Sequence, residues 1–377
     1  MLKKVKIKNF LSCEDVELEL DAVTALIGRN AAGKTNILKV IEGGAQFAVG
    51  AESLPFGSQK SSIKKVSSEC ILEFLIESGL YKYEINIYSG AGKGRVIVES
   101  LCKYNDNDWQ IIATKNNEAA IFHHAGSVTE FKISALAPVI HTIRSLLPEE
   151  QLSSDIAPVF NYLSKITYYD LDNKLTKEFS SYISENHYQQ WLAKNKKIEL
   201  SVCMRLLHLW RSDQETFEEI NALLGENGLL LIKNIEINEA GISKQDELIY
   251  FISFNGFNYS DLSFGTQRVL AIILALLYDD NSTLLIEQPE DGIHAGLLRK
   301  VLPLCFTYAD YFKKQLIITT HSAGIIDLLQ PENIRFIRMT EKGTKASKLS
   351  NEDTALFPEY IRNEGSLSEF IDAVGDD

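Results

Sequence analysis

Eight consecutive residues, Gly28-Arg29-Asn30-Ala31-Ala32-Gly33-Lys34-Thr35, constrain this chain more than any other feature. They match the pattern G-x-x-x-x-G-K-[ST] at every fixed position. Gly28 and Gly33 let the backbone curl so that successive N–H groups, from Arg29 through Ala32 and on to Asn36, face one anionic group. A helix starting at the loop adds its own unpaired N–H groups and its positive end. The flanks fit: residues 22–27 (AVTALI) form an apolar run that stops at Gly28, and residues 34–46 place Ile37, Leu38, Val40 and Ile41 at helical spacing. A buried strand, a phosphate loop and a helix are therefore expected in that order. The ligand implied is a nucleotide, ATP with Mg²⁺: Lys34 is positioned for the β- and γ-phosphates, and the Thr35 hydroxyl for the metal.

The rest of the chain supplies the sheet that such a loop needs. Residues 2–10 and 16–20 alternate with period two and read as half-buried strands, and 66–101 read as further strands broken by glycines. An antiparallel β lobe is expected, ending near 135. The segment 136–225 changes texture. Stretches such as 155–166 and 201–210 read as helical, so a mainly helical insert is expected there. After 226, GLLLIKNIEI and ELIYFISF read as strands, 264–278 as an apolar helix, and 283–287, 315–320 and 334–338 as strands. Strand–helix alternation with fully apolar strands implies a parallel or mixed sheet covered by helices, hence an α/β fold. The expected division is 1–135, 136–225 and 226–377.

Three segments of the last part carry chemistry. In Leu262-Ser263-Phe264-Gly265-Thr266-Gln267-Arg268, Ser263 reads as a helix N-cap and Gly265 as a point of close approach for a ligand. The run Thr283–Glu287 is a buried strand ending in a carboxylate, the residue type that holds Mg²⁺ directly or through water. Gln315–Thr320 is a second such strand, and its end presents His321 and Ser322. Placed there, His321 can hydrogen-bond a γ-phosphate or an attacking water; an isolated histidine is more often structural.

Taken together, Leu262–Arg268, Ile286–His294 and Thr319–Ser322 resemble the L-S-x-G-T-x-R, I-E-E-P-E-N-G-L-H and T-T-H-S segments of ABC-type ATPases of the SMC/RecN/OLD branch, the compact bacterial ones above all. The phosphate loop with its trailing Asn36 is similar to theirs too. The similarity covers about residues 1–50 and 255–340 and leaves the middle unmatched. It implies an ABC-ATPase head: a P-loop NTPase with a mixed or parallel central sheet, an antiparallel β lobe and a helical insert. It also implies a head-to-tail homodimer that sandwiches two ATPs, with Ser263 and Gly265 of one subunit facing Lys34 and Thr35 of the other. Phe10 suits an adenine contact in that fold, and equally suits a core position. One departure bears on rate. Gln288 stands where these ATPases usually carry a glutamate after the metal-binding carboxylate. An amide can orient water but cannot accept its proton. Slow hydrolysis is therefore expected, with Glu287, Gln288 and His321 as the catalytic set.

Composition narrows the biological role. No apolar run reaches membrane-spanning length, and Met1 leads straight into a strand, so a cytoplasmic protein without a membrane partner is expected. Five scattered cysteines (13, 70, 102, 203, 305) read as buried thiols. The net charge of −13 argues against a broad nucleic-acid surface. The rows Lys3, Lys4, Lys6, Lys8 and Lys194, Lys196, Lys197 are each compatible with a DNA contact or with a solvated face. His123-His124 lacks a well-spaced third ligand, and Trp109, Trp191 and Trp210 are too dispersed for a stacking platform. Only about 37 residues follow position 340, too few for the TOPRIM nuclease of OLD proteins. The resemblance then implies a stand-alone ATPase that controls a separate nuclease or toxin in anti-phage defence. The alternatives are a RecF-like DNA-repair ATPase and a scaffold that binds ATP without hydrolysing it.

Overall fold

A computed structural model describes residues 1–51, 67–90, 93–124, 127–148, 153–171, 181–193, 201–226, 228–242, 247–349, 360 and 365–375. The cluster Lys194, Lys196 and Lys197 lies outside the described residues. By compactness the chain forms two units. One comprises 1–169, 281–287 and 313–377; the other comprises 170–280 and 288–312.

The first unit opens with the hairpin β1 (Leu2–Phe10) and β2 (Cys13–Glu19), then β3 (Val23–Ile27) and the helix α1 (Lys34–Ala48). Next come β4 (Ser67–Ile76), β5 (Gly79–Gly90), β6 (Lys93–Asn105), β7 (Asp108–Asn116), β8 (Ala119–His124) and β9 (Ser127–Lys132). Helices α2 (Val139–Leu146) and α3 (Ser153–Ser164) and the strand β10 (Ile166–Tyr169) follow. Strands β1, β2 and β4–β9 make one antiparallel sheet of eight in the order β2-β1-β4-β5-β6-β7-β8-β9. Alternating burial in β2, β4 and β5 explains why those segments read as strands in the sequence.

The second unit holds β11 (Tyr182–Ser184), α4 (Glu185–Ala193), α5 (Val202–Ser212), α6 (Gln214–Leu224), β12 (Ile235–Ile242), β13 (Leu248–Phe254), α7 (Phe264–Leu277) and, after the excursion of β14 (Thr283–Glu287) into the first unit, α8 (Ala295–Tyr311). Its sheet has three antiparallel strands, β11-β13-β12. Here the structure corrects one expectation. Residues 228–234 of GLLLIKNIEI are not strand. The Leu229 N–H donates to the Leu223 carbonyl (2.8 Å), and those of Leu231 and Ile232 donate to Leu224 (2.9 and 3.1 Å). The apolar run terminates α6 by taking up its last carbonyls, and the strand starts only at Ile235.

The chain then completes the first unit with β15 (Gln315–Thr320), α9 (Ala323–Ile326), β16 (Ile334–Thr340), β17 (Gly343–Ser347) and α10 (Leu367–Gly375). A mixed six-stranded sheet results, β10-β14-β15-β3-β16-β17, parallel from β10 to β16 and antiparallel at β17. The four-residue β10 was missed in the sequence because it follows the helical pattern of 155–166 without a turn residue. The core of this unit combines both sheets with α1–α3: Ile7, Phe74 and Tyr83 meet Ile37, Leu38 and Ile41, and Leu285, Ile317 and Ile337 close the cluster. Two polar devices lock it. Gln315 accepts from the Leu2 N–H and donates to the Leu2 and Asp21 carbonyls, each at 2.8 Å, so one buried amide ties the two sheets. Glu99 and Lys115 form an ion pair at 3.1 Å with both side chains 0% exposed. Glu99 also accepts from the Tyr83 hydroxyl (2.7 Å) and the Val139 N–H (3.1 Å), while Lys115 donates to the Ala135 carbonyl (2.9 Å). The start of α2 is thereby fastened to the β lobe.

Candidate functional site

The phosphate loop joins β3 to α1 as its sequence requires. Arg29, Asn30 and Ala31 are exposed, whereas Ala32, Gly33 and Lys34 are buried. Ala31 and Gly33 take left-handed φ values of 64° and 103°, which turn successive N–H groups toward one side. A Cβ on Gly28 would overlap the Ile337 carbonyl oxygen of β16, and one on Gly33 would overlap the Thr344 and Ser12 hydroxyls. The two glycines are thus demanded by the chain's own packing around the loop. That packing is polar. The Thr344 hydroxyl donates to the Ala32 carbonyl (2.9 Å) and lies 2.7 Å from the Ser12 hydroxyl, which accepts from the Asn36 amide (2.9 Å). Ser12 and Thr344 therefore brace the loop. Neither was singled out from the sequence, where nothing marks a serine in a hairpin turn or a threonine in an edge strand.

The Lys34 ammonium donates to the carbonyls of Gly28 (2.6 Å) and Arg29 (3.1 Å), folded back over the loop that it would serve. The Thr35 hydroxyl donates to one carboxylate oxygen of Glu287, and the Tyr168 hydroxyl donates to the other. Strand register explains the meeting. Glu287 ends β14 opposite Thr319, and Thr320 ends β15 opposite Ile27, the last residue of β3. The loop, Glu287 and His321 thus emerge from the carboxyl ends of adjacent parallel strands, where open α/β sheets bind their ligands. His321 is exposed there.

The donor set suits a hard cation held with phosphate. A hydroxyl and a carboxylate converge beside the loop, and Mg²⁺ takes one or two such protein oxygens and fills its shell with water and phosphate oxygens. Among the described residues no group of three or more His, Cys, Asp or Glu side chains is arranged around a common point, so nothing there builds an all-protein cage. His123 is exposed near the end of β8.

Ser263, Gly265 and Gln288 belong to the second unit. The Ser263 hydroxyl accepts from the Thr266 N–H (3.2 Å) and caps α7. At Gly265 the close approach is made to the chain itself: an added Cβ would come within 2.6 Å of the Gly292 carbonyl oxygen. Gln288 has a left-handed φ of 41°, and its carbonyl accepts from the buried guanidinium of Arg268 (2.6 Å). That ion is an architectural partner of the turn that carries Gln288.

Phe10 is 6% exposed within the core of the first unit, where its ring is covered. The lysine row of β1 faces acids: Lys4 pairs with Glu17 (2.6 Å), Lys8 with Glu69 (3.3 Å), and Lys6 stands opposite Glu17 in the strand register. The Lys4 hydrogen bond holds the Glu17 carboxyl below its ordinary range. No helix among the described residues is long and apolar enough to cross a membrane.

The sequence family described as "AAA ATPase domain" matches residues 1–228, and the one described as "AAA domain, putative AbiEii toxin, Type IV TA system" matches residues 212–327. An OLD nuclease of Thermus scotoductus is 22% identical over 390 aligned positions, covering 99% of this chain and 68% of that protein. Among solved structures, an SMC head bound to the C-winged helix domain of ScpA aligns with a TM-score of 0.52 at 15% identity, covering 94% of this chain and 99% of that one. The fold is that of an SMC-type ATPase head.

Proposed function

We propose, from the premise that the chain belongs to the AAA ATPase domain family, that it binds Mg²⁺·ATP in the first unit and hydrolyses it slowly. The observation that carries this reading is the meeting of the Thr35 hydroxyl with the Glu287 carboxylate, 252 residues apart in sequence, beside Lys34 at one end of the sheet. The loop N–H groups would hold the phosphates, Lys34 would swing from the loop carbonyls onto them, and Thr35 and Glu287 would hold the metal. Bound Mg²⁺ supplies charge neutralisation of the phosphates. His321 would contact the γ-phosphate or the water, and Gln288 would orient that water without taking its proton.

The capped start of α7, with Ser263 and Gly265, is assigned to the ATP of a second copy, so that ATP drives a head-to-tail dimer. The relationships to an OLD nuclease and to a toxin-associated AAA domain support a dimer that switches a nuclease or toxin partner, in anti-phage defence. The acid-paired lysine row on β1 gives the DNA-repair alternative no support. The test is binding of a fluorescent ATP analogue, phosphate release and light-scattering mass, each with and without Mg²⁺. Binding that is lost in Lys34→Ala, and a mass that doubles when ATP and Mg²⁺ are added to the slowly hydrolysing wild type, are expected. Equal nucleotide affinity in wild type and Lys34→Ala would overturn the site, and an unchanged mass would overturn the dimer.

A further inference from the structure

Strand β10 brings to the nucleotide edge a side chain that no sequence motif announced. Tyr168 pairs in parallel register with Leu285, two residues before Glu287. Side chains two apart on a strand share a face, so Tyr168, Leu285 and Glu287 lie on one side of the sheet. That is the side covered by α1: Tyr168 and Leu285 both belong to the core built around Ile37 and Ile41, and the Tyr168 N–H is 3.3 Å from the Glu42 carboxylate on α1. A tyrosine is long enough to reach the diagonal neighbour two residues along the next strand. Its ring is buried, with the residue 6% exposed, and its hydroxyl ends on Glu287.

The two carboxylate oxygens therefore have different partners. One accepts a hydrogen bond from the Tyr168 hydroxyl and the other accepts one from the Thr35 hydroxyl. A carboxylate at the end of a strand can rotate about its terminal torsions, and a buried, ring-packed donor on one oxygen removes that freedom. Oriented partners of this kind tune metal ligands nearly as strongly as the ligands themselves.

We infer that Tyr168 is a positioning residue for the metal: it fixes the Glu287 carboxylate so that the oxygen facing Thr35 is presented to the Mg²⁺ of bound nucleotide. The inference rests on the ATP reading above. Removing the phenol hydroxyl leaves the ring and its packing in place, so Tyr168→Phe separates positioning from folding. Once Glu287 is an amide, the phenol has no carboxylate to orient, and the two changes should not add.

The experiment titrates Mn²⁺ into protein saturated with a slowly hydrolysed ATP analogue and reads free Mn²⁺ by electron paramagnetic resonance. Wild type, Tyr168→Phe, Glu287→Gln and the double variant are compared, with metal-free binding of the analogue measured alongside. For Tyr168→Phe the Mn²⁺ midpoint should rise about tenfold, the lower end of what outer partners of metal ligands contribute. Metal-free nucleotide affinity should stay at the wild-type value, and the double variant should match Glu287→Gln. A Tyr168→Phe midpoint equal to wild type, in protein that binds the nucleotide, overturns the role of Tyr168 alone. Additive losses in the double variant overturn it as well. Failure of wild-type protein to bind the analogue at all overturns the ATP reading, and this inference with it.

Discussion

Lys115→Met removes one charge from a pair that water never reaches. Methionine keeps the length of the stem, so the cavity left is small and the loss is electrostatic. Glu99 would retain the Tyr83 hydroxyl and the Val139 N–H as donors but lose its counter-ion. Breaking a buried pair from one side destabilises by about 3–5 kcal/mol, a large share of the roughly 5–15 kcal/mol that holds a domain folded. The pH dependence identifies the cause. In the native protein, burial already pushes the Glu99 carboxyl up, against the pull of Lys115, Tyr83 and the Val139 amide. Without Lys115 it rises further. A carboxyl raised in the folded state contributes its full stability below the unfolded value of 4.5 and loses it as pH climbs through the folded value. Each pH unit between the unfolded and the folded value removes about 1.4 kcal/mol. Urea unfolding followed by circular dichroism should thus find Lys115→Met more destabilised at pH 8 than at pH 5. Adding Glu99→Gln should recover part of the loss, because an amide oxygen still accepts from Tyr83. A loss below about 1 kcal/mol, or an equal loss at both pH values, would refute the charge argument.

Gly33→Ala forces a residue with a Cβ into φ 103° against Thr344 and Ser12. Strain of about 1–3 kcal/mol should reach the loop and lower ATP affinity about tenfold or more by calorimetry, with secondary structure retained. Gln288→Glu supplies the missing proton acceptor, and single-turnover hydrolysis should accelerate by about a hundredfold, the lower range for a placed general base; an unchanged rate would end the account of slow turnover. All five cysteines are buried and none forms a disulfide, and burial raises the Cys70 and Cys305 thiols to about 12. Ellman's reagent at pH 8 should therefore find less than one reactive thiol in native protein and all five after denaturation.

Legibility followed distance along the chain. The phosphate loop, the capped start of α7 and the apolar strands ending at Glu287 and Thr320 were readable because each is set by neighbours a few residues away. The run 228–234 misled because apolar residues closing a helix look like those of a buried strand; only the carbonyls at the end of α6 distinguish them. At Gly265 only the fold reveals the tight approach of the Gly292 carbonyl, which no local pattern announces.

By itself the sequence determined that a strand, an anion-binding loop and a helix follow one another at Gly28–Thr35, since that motif is a local backbone requirement. Tertiary structure decided what surrounds it. It set Thr35 against a carboxylate 252 residues away, gave that carboxylate a second donor from Tyr168, 119 residues from it, and braced the loop with two hydroxyls 332 residues apart. Those pairings depend on strand order and register, which arise only when both sheets close on α1 and bury their shared core.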